Sequence, residues 1–169
     1  MKVYIGIDPG ITGAIAAISK KKKSHVDKIK IFDTPVDIIK KGKSIKKEYL
    51  PVEMANRIRI IINKYGVENC HIAIEKVHSM PKQGVASTFS FGRGYGIWLG
   101  IIATLHISFS NPTPQAWKKE MMRGMSDKDA ARIRAQELFP KCATKLSLKK
   151  HIGRADALLI AEYARRMKY

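Results

Sequence analysis

Two short apolar runs, residues 3–7 (Val-Tyr-Ile-Gly-Ile) and 13–18 (Gly-Ala-Ile-Ala-Ala-Ile), flank Asp8-Pro9-Gly10 and constrain the fold more than any other feature of the chain. Runs this short and this rich in isoleucine suit strands, and the Asp-Pro-Gly signal between them joins them as a hairpin. The lysine run 20–23 interrupts the pattern before residues 26–32 resume it, so a third strand is expected across a solvated turn. Residues 34–49 are lysine-rich, hold one glycine and show no clear period; they read as an exposed loop.

Beyond this loop the period changes. Pro51 suits the first turn of a helix whose apolar positions Met54, Ile58, Ile61 and Ile62 recur at helical spacing up to Tyr65. Residues 71–74 form a short, mostly apolar run ending in Glu75, as a parallel strand following a helix would. A long helix over 85–105, a strand near 107–110 and helices from Pro114, Ser126 and Gly153 complete the order βββαβαβααα. That order predicts an α/β fold: a mixed five-stranded sheet, three antiparallel strands then two parallel, flanked by helices. With 169 residues, 45% of them apolar, one domain over 1–169 is expected.

Charge narrows the partners. Lys and Arg number 32 against 14 Asp and Glu, a formal net charge of +18, which is the sign that attracts phosphate backbones. An anionic membrane would attract it too, but no apolar run approaches the roughly 18 residues of a span and no basic amphipathic helix stands alone. The first residues lack a small-residue cleavage site, so an intracellular location is expected, in bacterial or phage-infected cytoplasm or in an organelle. Cys70 and Cys142 have no metal-binding spacing and are expected to remain thiols.

Against this basic background, an acid that ends or interrupts an apolar run stands out, because burying an unpaired carboxylate is costly. Asp8 ends the first strand, Glu75 ends the central one, and Asp156 lies in Ala155-Asp156-Ala157-Leu158-Leu159-Ile160. A metal ion is the simplest partner for carboxylates so placed. Each acid also has an ordinary reading: Asp8 as a turn residue, Glu75 paired with Lys76 or Arg93, Asp156 complementing a helix dipole.

Four segments together carry a resemblance: Ile5-Gly6-Ile7-Asp8-Pro9-Gly10, Ile72-Ala73-Ile74-Glu75-Lys76-Val77, Phe91-Gly92-Arg93-Gly94-Tyr95-Gly96 and Gly153-Arg154-Ala155-Asp156-Ala157-Leu158. In this order the chain resembles the RuvC family of Holliday-junction resolvases, more closely its phage and plastid branches, within the ribonuclease-H-like superfamily. The resemblance implies a crossover-junction endonuclease using two divalent ions, magnesium with manganese as a substitute, held by Asp8, Glu75 and Asp156. The implied reaction is in-line hydrolysis leaving a 5′-phosphate and a 3′-hydroxyl. Where the best-known bacterial pattern has a fourth acid or histidine one helical turn before the last aspartate, this chain has Gly153. His151 is the nearest substitute, as a metal ligand or a positioner of water, with phosphate contact beside Lys149 and Lys150 as the alternative. Lys118 and Lys128 match family lysines near the active centre.

The resemblance also implies a branch-binding region. His78, Lys82 and Gln83 follow the catalytic strand, and Phe89, Phe91 and Arg93 open the next helix, where an aromatic can stack on an unpaired base. Both phenylalanines can equally be core. Gly92, Gly96 and Gly100 align on one helix face despite a cost near 1 kcal/mol each, consistent with close approach of another helix, either in a homodimer or within the chain. The expected partner is therefore a four-way DNA junction met by a dimer, with no nucleotide cofactor. A non-catalytic branched-DNA-binding protein and a ribonuclease-H-type nuclease are the alternatives. An actin-like phosphotransferase shares the opening hairpin, but its duplicated domain does not fit this length.

Overall fold

The computed structural model describes residues 2–20, 27–42, 44–78, 84–122, 124, 125, 127 and 129–169, apart from the side chains of Lys20, Asp27 and Lys41. The expected meander is present: β1 (Val3–Asp8), β2 (Ala14–Lys20) and β3 (Asp27–Asp33) pair antiparallel in sequence order. The Asp8 to Gly13 turn is closed by a 2.9 Å hydrogen bond from the Gly13 N–H to the Gly10 carbonyl.

Residues 34–49 correct the expectation of a loop. They form a separate antiparallel hairpin of β4 (Val36–Lys41) and β5 (Ser44–Tyr49). Most of the ribbon is exposed, including Ile38, Ile39 and Ile45, so no apolar-in, polar-out alternation marks it in the sequence. Its base is anchored: Tyr49 is buried beneath the Arg93 guanidinium, Arg93 pairs with Glu48, and the Leu50 N–H donates to the Pro35 carbonyl at 3.1 Å. Gly42, at φ 59°, supplies the left-handed residue at the tip.

The chain continues through α1 (Pro51–Tyr65), β6 (Cys70–Ile74), α2 (Val85–Thr104), β7 (Ser108–Ser110), α3 (Pro114–Met122), α4 (Ala130–Leu138) and α5 (Ile152–Met167). The main sheet has the order β3-β2-β1-β6-β7, with β6 and β7 parallel to β1 and to each other. Helices cover both faces. Val3, Ile5, Ile7, Ile72 and Ile74 point into one core with α1 and α2, while Ala14, Ala16 and Ala73 point into the other with α3, α4 and α5. The α5 side of the sheet is built from small residues, which lets that helix approach closely: a Cβ on Gly6 would fall 2.0 Å from the Ala157 carbonyl oxygen. Among the described residues no helix is long and apolar enough to cross a membrane.

Candidate active site

Strand parity decides where the acids go. Alternate residues of a strand face the same side, so Asp8, two beyond Gly6, and Glu75, two beyond Ala73, both lie on the α5 side at the carboxyl ends of neighbouring parallel strands. The ladder continues past them, with the Glu75 N–H donating to the Ile7 carbonyl at 3.1 Å. Asp156, in the first turns of α5, joins them because that helix crosses β1 and β2 so tightly.

The three carboxylates act on one another. Asp8 is pushed up to about 6, chiefly by burial, against a 3.1 Å hydrogen bond from the Gly10 N–H and the pull of Lys118. Glu75 is pushed up to about 7 by burial and by the charge of Asp8; Lys118 and the Trp117 indole act in the opposite direction. That indole N–H is buried without a full hydrogen bond among the described residues, yet lies near enough to Glu75 to lower it. Asp156 is raised to about 7, again by burial first, then by Asp8 and, more weakly, Glu75, with Lys118 opposing. Lys118 is therefore the cation common to all three. It lines a cleft of about 480 Å³ with Asp156 and another of about 390 Å³ with Glu75, His78 and Phe91.

His151 is not brought to this group. It is buried on the 3₁₀ turn before α5, and the charges acting on it are Arg154, Lys150, Asp33 and Arg132. Burial and then Arg154 hold it below its usual value, and its Nδ1 accepts a 3.2 Å hydrogen bond from the Leu148 N–H. That bond engages Nδ1 as an acceptor. Among the described residues the printed contacts of the His151 ring are to Leu148 and to these charged neighbours, and none is to Asp8, Glu75 or Asp156. Gly153 shows why the fourth position holds no side chain: a Cβ there would lie 2.5 Å from the Thr12 carbonyl oxygen and 3.0 Å from Asp8 Oδ2.

The remaining expected residues divide. Phe89 is 71% exposed on the first turn of α2 and so is not core, whereas Phe91 is half-buried in the wall beside Glu75. His78, Lys149 and Lys150 are exposed, and Arg93 is engaged by Glu48 and Tyr49 at the hairpin base. Lys82, Gln83 and Lys128 lie outside the described residues. Gly92, Gly96 and Gly100 have nothing within 4 Å of where a Cβ would stand, so within the chain this face of α2 meets nothing among the described residues. One positioning group was not foreseen: the Tyr95 hydroxyl donates to Asn111 Oδ1 at 2.7 Å, and Asn111 Nδ2 donates to the Ile74 carbonyl at 2.7 Å, fixing the strand end that presents Glu75. Its members are too far apart in sequence for any local signal.

The sheet order, with helices on both faces and acids at the ends of β1 and β6, defines a ribonuclease-H-like fold. The chain matches Thermus thermophilus RuvC over 98% of its length and 96% of RuvC's, with TM-score 0.54 and 20% identity. It matches Thermus thermophilus RuvC in complex with a Holliday junction substrate over 99% and 97%, with TM-score 0.61 and 17% identity. In sequence it is 34% identical over 86 residues to the chloroplastic Holliday junction resolvase MOC1 of Chlamydomonas reinhardtii, a match covering 50% of this chain and 10% of that protein. No family model matches. The chain thus shares its fold with RuvC along nearly its whole length and is similar in sequence to a plastid resolvase over half of it, a match that spans about a tenth of that relative.

Proposed function

We propose that this protein is a divalent-metal-dependent endonuclease that resolves four-way DNA junctions by paired symmetric nicks, working inside a cell or organelle. The observation that carries the reading is the gathering of Asp8, Glu75 and Asp156 around Lys118, in a chain with a net charge of +18. The junction as substrate is supported by the likeness to RuvC and to the plastid resolvase.

The donor set fits a hard cation. It is all carboxylate oxygen, and burial and mutual repulsion make each group costly to ionise unless positive charge arrives. Among the described residues no three such side chains stand close enough together, as placed, to hold an ion by themselves. Asp8, Glu75 and Asp156 would hold the ions, and a divalent pair, when bound, supplies water activation and stabilisation of the leaving 3′-oxygen. Lys118 would face the charge growing on the phosphate. Phe89 is free to stack on an unpaired base at the branch, and the open glycine face of α2 suits the helix of a second copy, which would set two sites for opposite strands.

The test is cleavage of a four-way junction, a linear duplex and an RNA–DNA hybrid, with magnesium or EDTA, mapped at nucleotide resolution. The reading predicts paired nicks in the junction alone, with 5′-phosphate and 3′-hydroxyl ends, lost in EDTA and in Asp8→Asn. Junction binding without cutting under any divalent metal, or preferred cutting of the hybrid, contradicts it.

A further inference from the structure

A further cleft, of about 250 Å³, is walled by Thr12 and Gly13 of the turn that follows Asp8 but by none of the three carboxylates. It lies between the end of β3, the hairpin strand β5 and the start of α5. The residue that sets it apart is Thr34, 4% exposed, whose Oγ1 is buried and has no hydrogen-bond partner among the described residues. Its backbone N–H is already committed, donating to the Gly13 carbonyl at 3.0 Å. A buried hydroxyl left unpaired is costly, and one lining a cleft is relieved when a ligand fills it.

The surroundings say what kind of ligand. Arg154 is held by Asp33 through bonds of 2.5 and 2.6 Å, so that pair is neutral. His151 is held toward its neutral form by burial and by Arg154. Lys47 and Lys150, both exposed on the rim, have no ion pair among the described residues and leave the cleft with two positive charges. The amino end of the 16-residue α5 adds partial positive charge beside them. Two ammonium groups, a helix start and a hydroxyl suit a tetrahedral, multiply accepting anion.

We infer that this cleft binds a backbone phosphate of the DNA, at a point on the substrate other than the one facing the carboxylates. The inference rests on the nucleic-acid reading above, but not on cleavage. A phosphate seated here would brace the turn that carries Asp8, because Thr12 and Gly13 wall the cleft and Gly153 packs between that turn and Asp8.

The experiment measures junction affinity against salt for the full chain, for Lys47→Gln with Lys150→Gln, and for a control pair outside the cleft, Lys28→Gln with Lys64→Gln. Losing two phosphate-neutralising cations is expected to lower the slope of log affinity against log salt by about 1.8. Thr34→Val keeps the shape and removes only the hydroxyl. It is expected to lose about tenfold in affinity at every salt concentration, with slope unchanged and melting temperature equal or higher, a pattern that a merely structural hydroxyl would not give. A slope change no larger than the control pair's, or a Thr34→Val protein with full affinity, overturns the inference. Inorganic phosphate that moves the amide signals of Gly13 and Thr34 while both cleft variants keep wild-type DNA affinity assigns the cleft to a free anion and also overturns it. A protein that cuts junctions yet fails these tests keeps its proposed function and loses this site.

Discussion

Replacing Gly153 by alanine tests how α5 is docked on the Asp8 turn. At an open helical position this change stabilises by up to about 1 kcal/mol, worth a rise of about 2–4 °C in a chain of this size. Here the new Cβ would meet the Thr12 carbonyl oxygen at 2.5 Å and the Gly13 Cα at 2.8 Å, against an ordinary contact of 3.4 Å or more. Both are backbone atoms of a turn fixed by its own hydrogen bond, so neither can swing aside. Overpacking of this kind costs about 1–3 kcal/mol. The overpacking outweighs the propensity gain, and the net loss, up to about 2 kcal/mol, corresponds to a fall in Tm of up to about 8 °C. The same displacement moves Asp8, whose Oδ2 lies 3.0 Å from the added atom, and a misplacement near 1 Å can cost about a hundredfold in rate. Thermal unfolding followed by circular dichroism, with junction cleavage measured in parallel, decides the matter. A Tm that rises, with cleavage intact, would refute the close docking and with it the explanation of why no fourth acid stands at this position.

Other outcomes follow from the same geometry. Because Asp8, Glu75 and Asp156 are raised to about 6, 7 and 7, the metal-free folded state binds more protons than the unfolded state between pH 4 and 7, so stability falls as pH rises through that window. Denaturant titrations at several pH values should show this slope, and Asp8→Asn should flatten it. Phe89→Ala should leave stability within about 0.5 kcal/mol, since the ring is exposed, and weaken junction binding by the equivalent of about 1–3 kcal/mol, measured by fluorescence anisotropy. Gly92→Ala with Gly96→Ala should weaken dimerisation in sedimentation equilibrium while raising the helix's intrinsic stability; unchanged association would remove this face as the interface.

Much of the framework was legible because burial leaves a period. The isoleucines of β1, β2 and β6, the helix after Pro51 and the acids ending two apolar runs all announced themselves by pattern. The hairpin from Val36 to Tyr49 did not, since a ribbon exposed along most of its length has no buried side to impose alternation; Gly42 between Ile38-Ile39 and Ile45 was the available signal. The carboxylate group could be inferred only by assuming that β1 and β6 are neighbours. The engagement of His151 Nδ1 depends on one backbone amide, that of Leu148, and the closure over Gly153 depends on a turn some 140 positions away. Neither is visible in the residues' own surroundings.

The central claim is that Asp8, Glu75 and Asp156 hold divalent ions together. Its most direct test is calorimetric titration of magnesium or manganese into the full chain near pH 6.5, in two buffers of different ionisation enthalpy, to count the protons released. Carboxylates raised to about 6–7 must lose protons when a cation binds, so the account predicts binding with net proton release that is abolished or greatly weakened in Asp8→Asn. Binding without proton release, or binding that Asp8→Asn leaves unchanged, would contradict it.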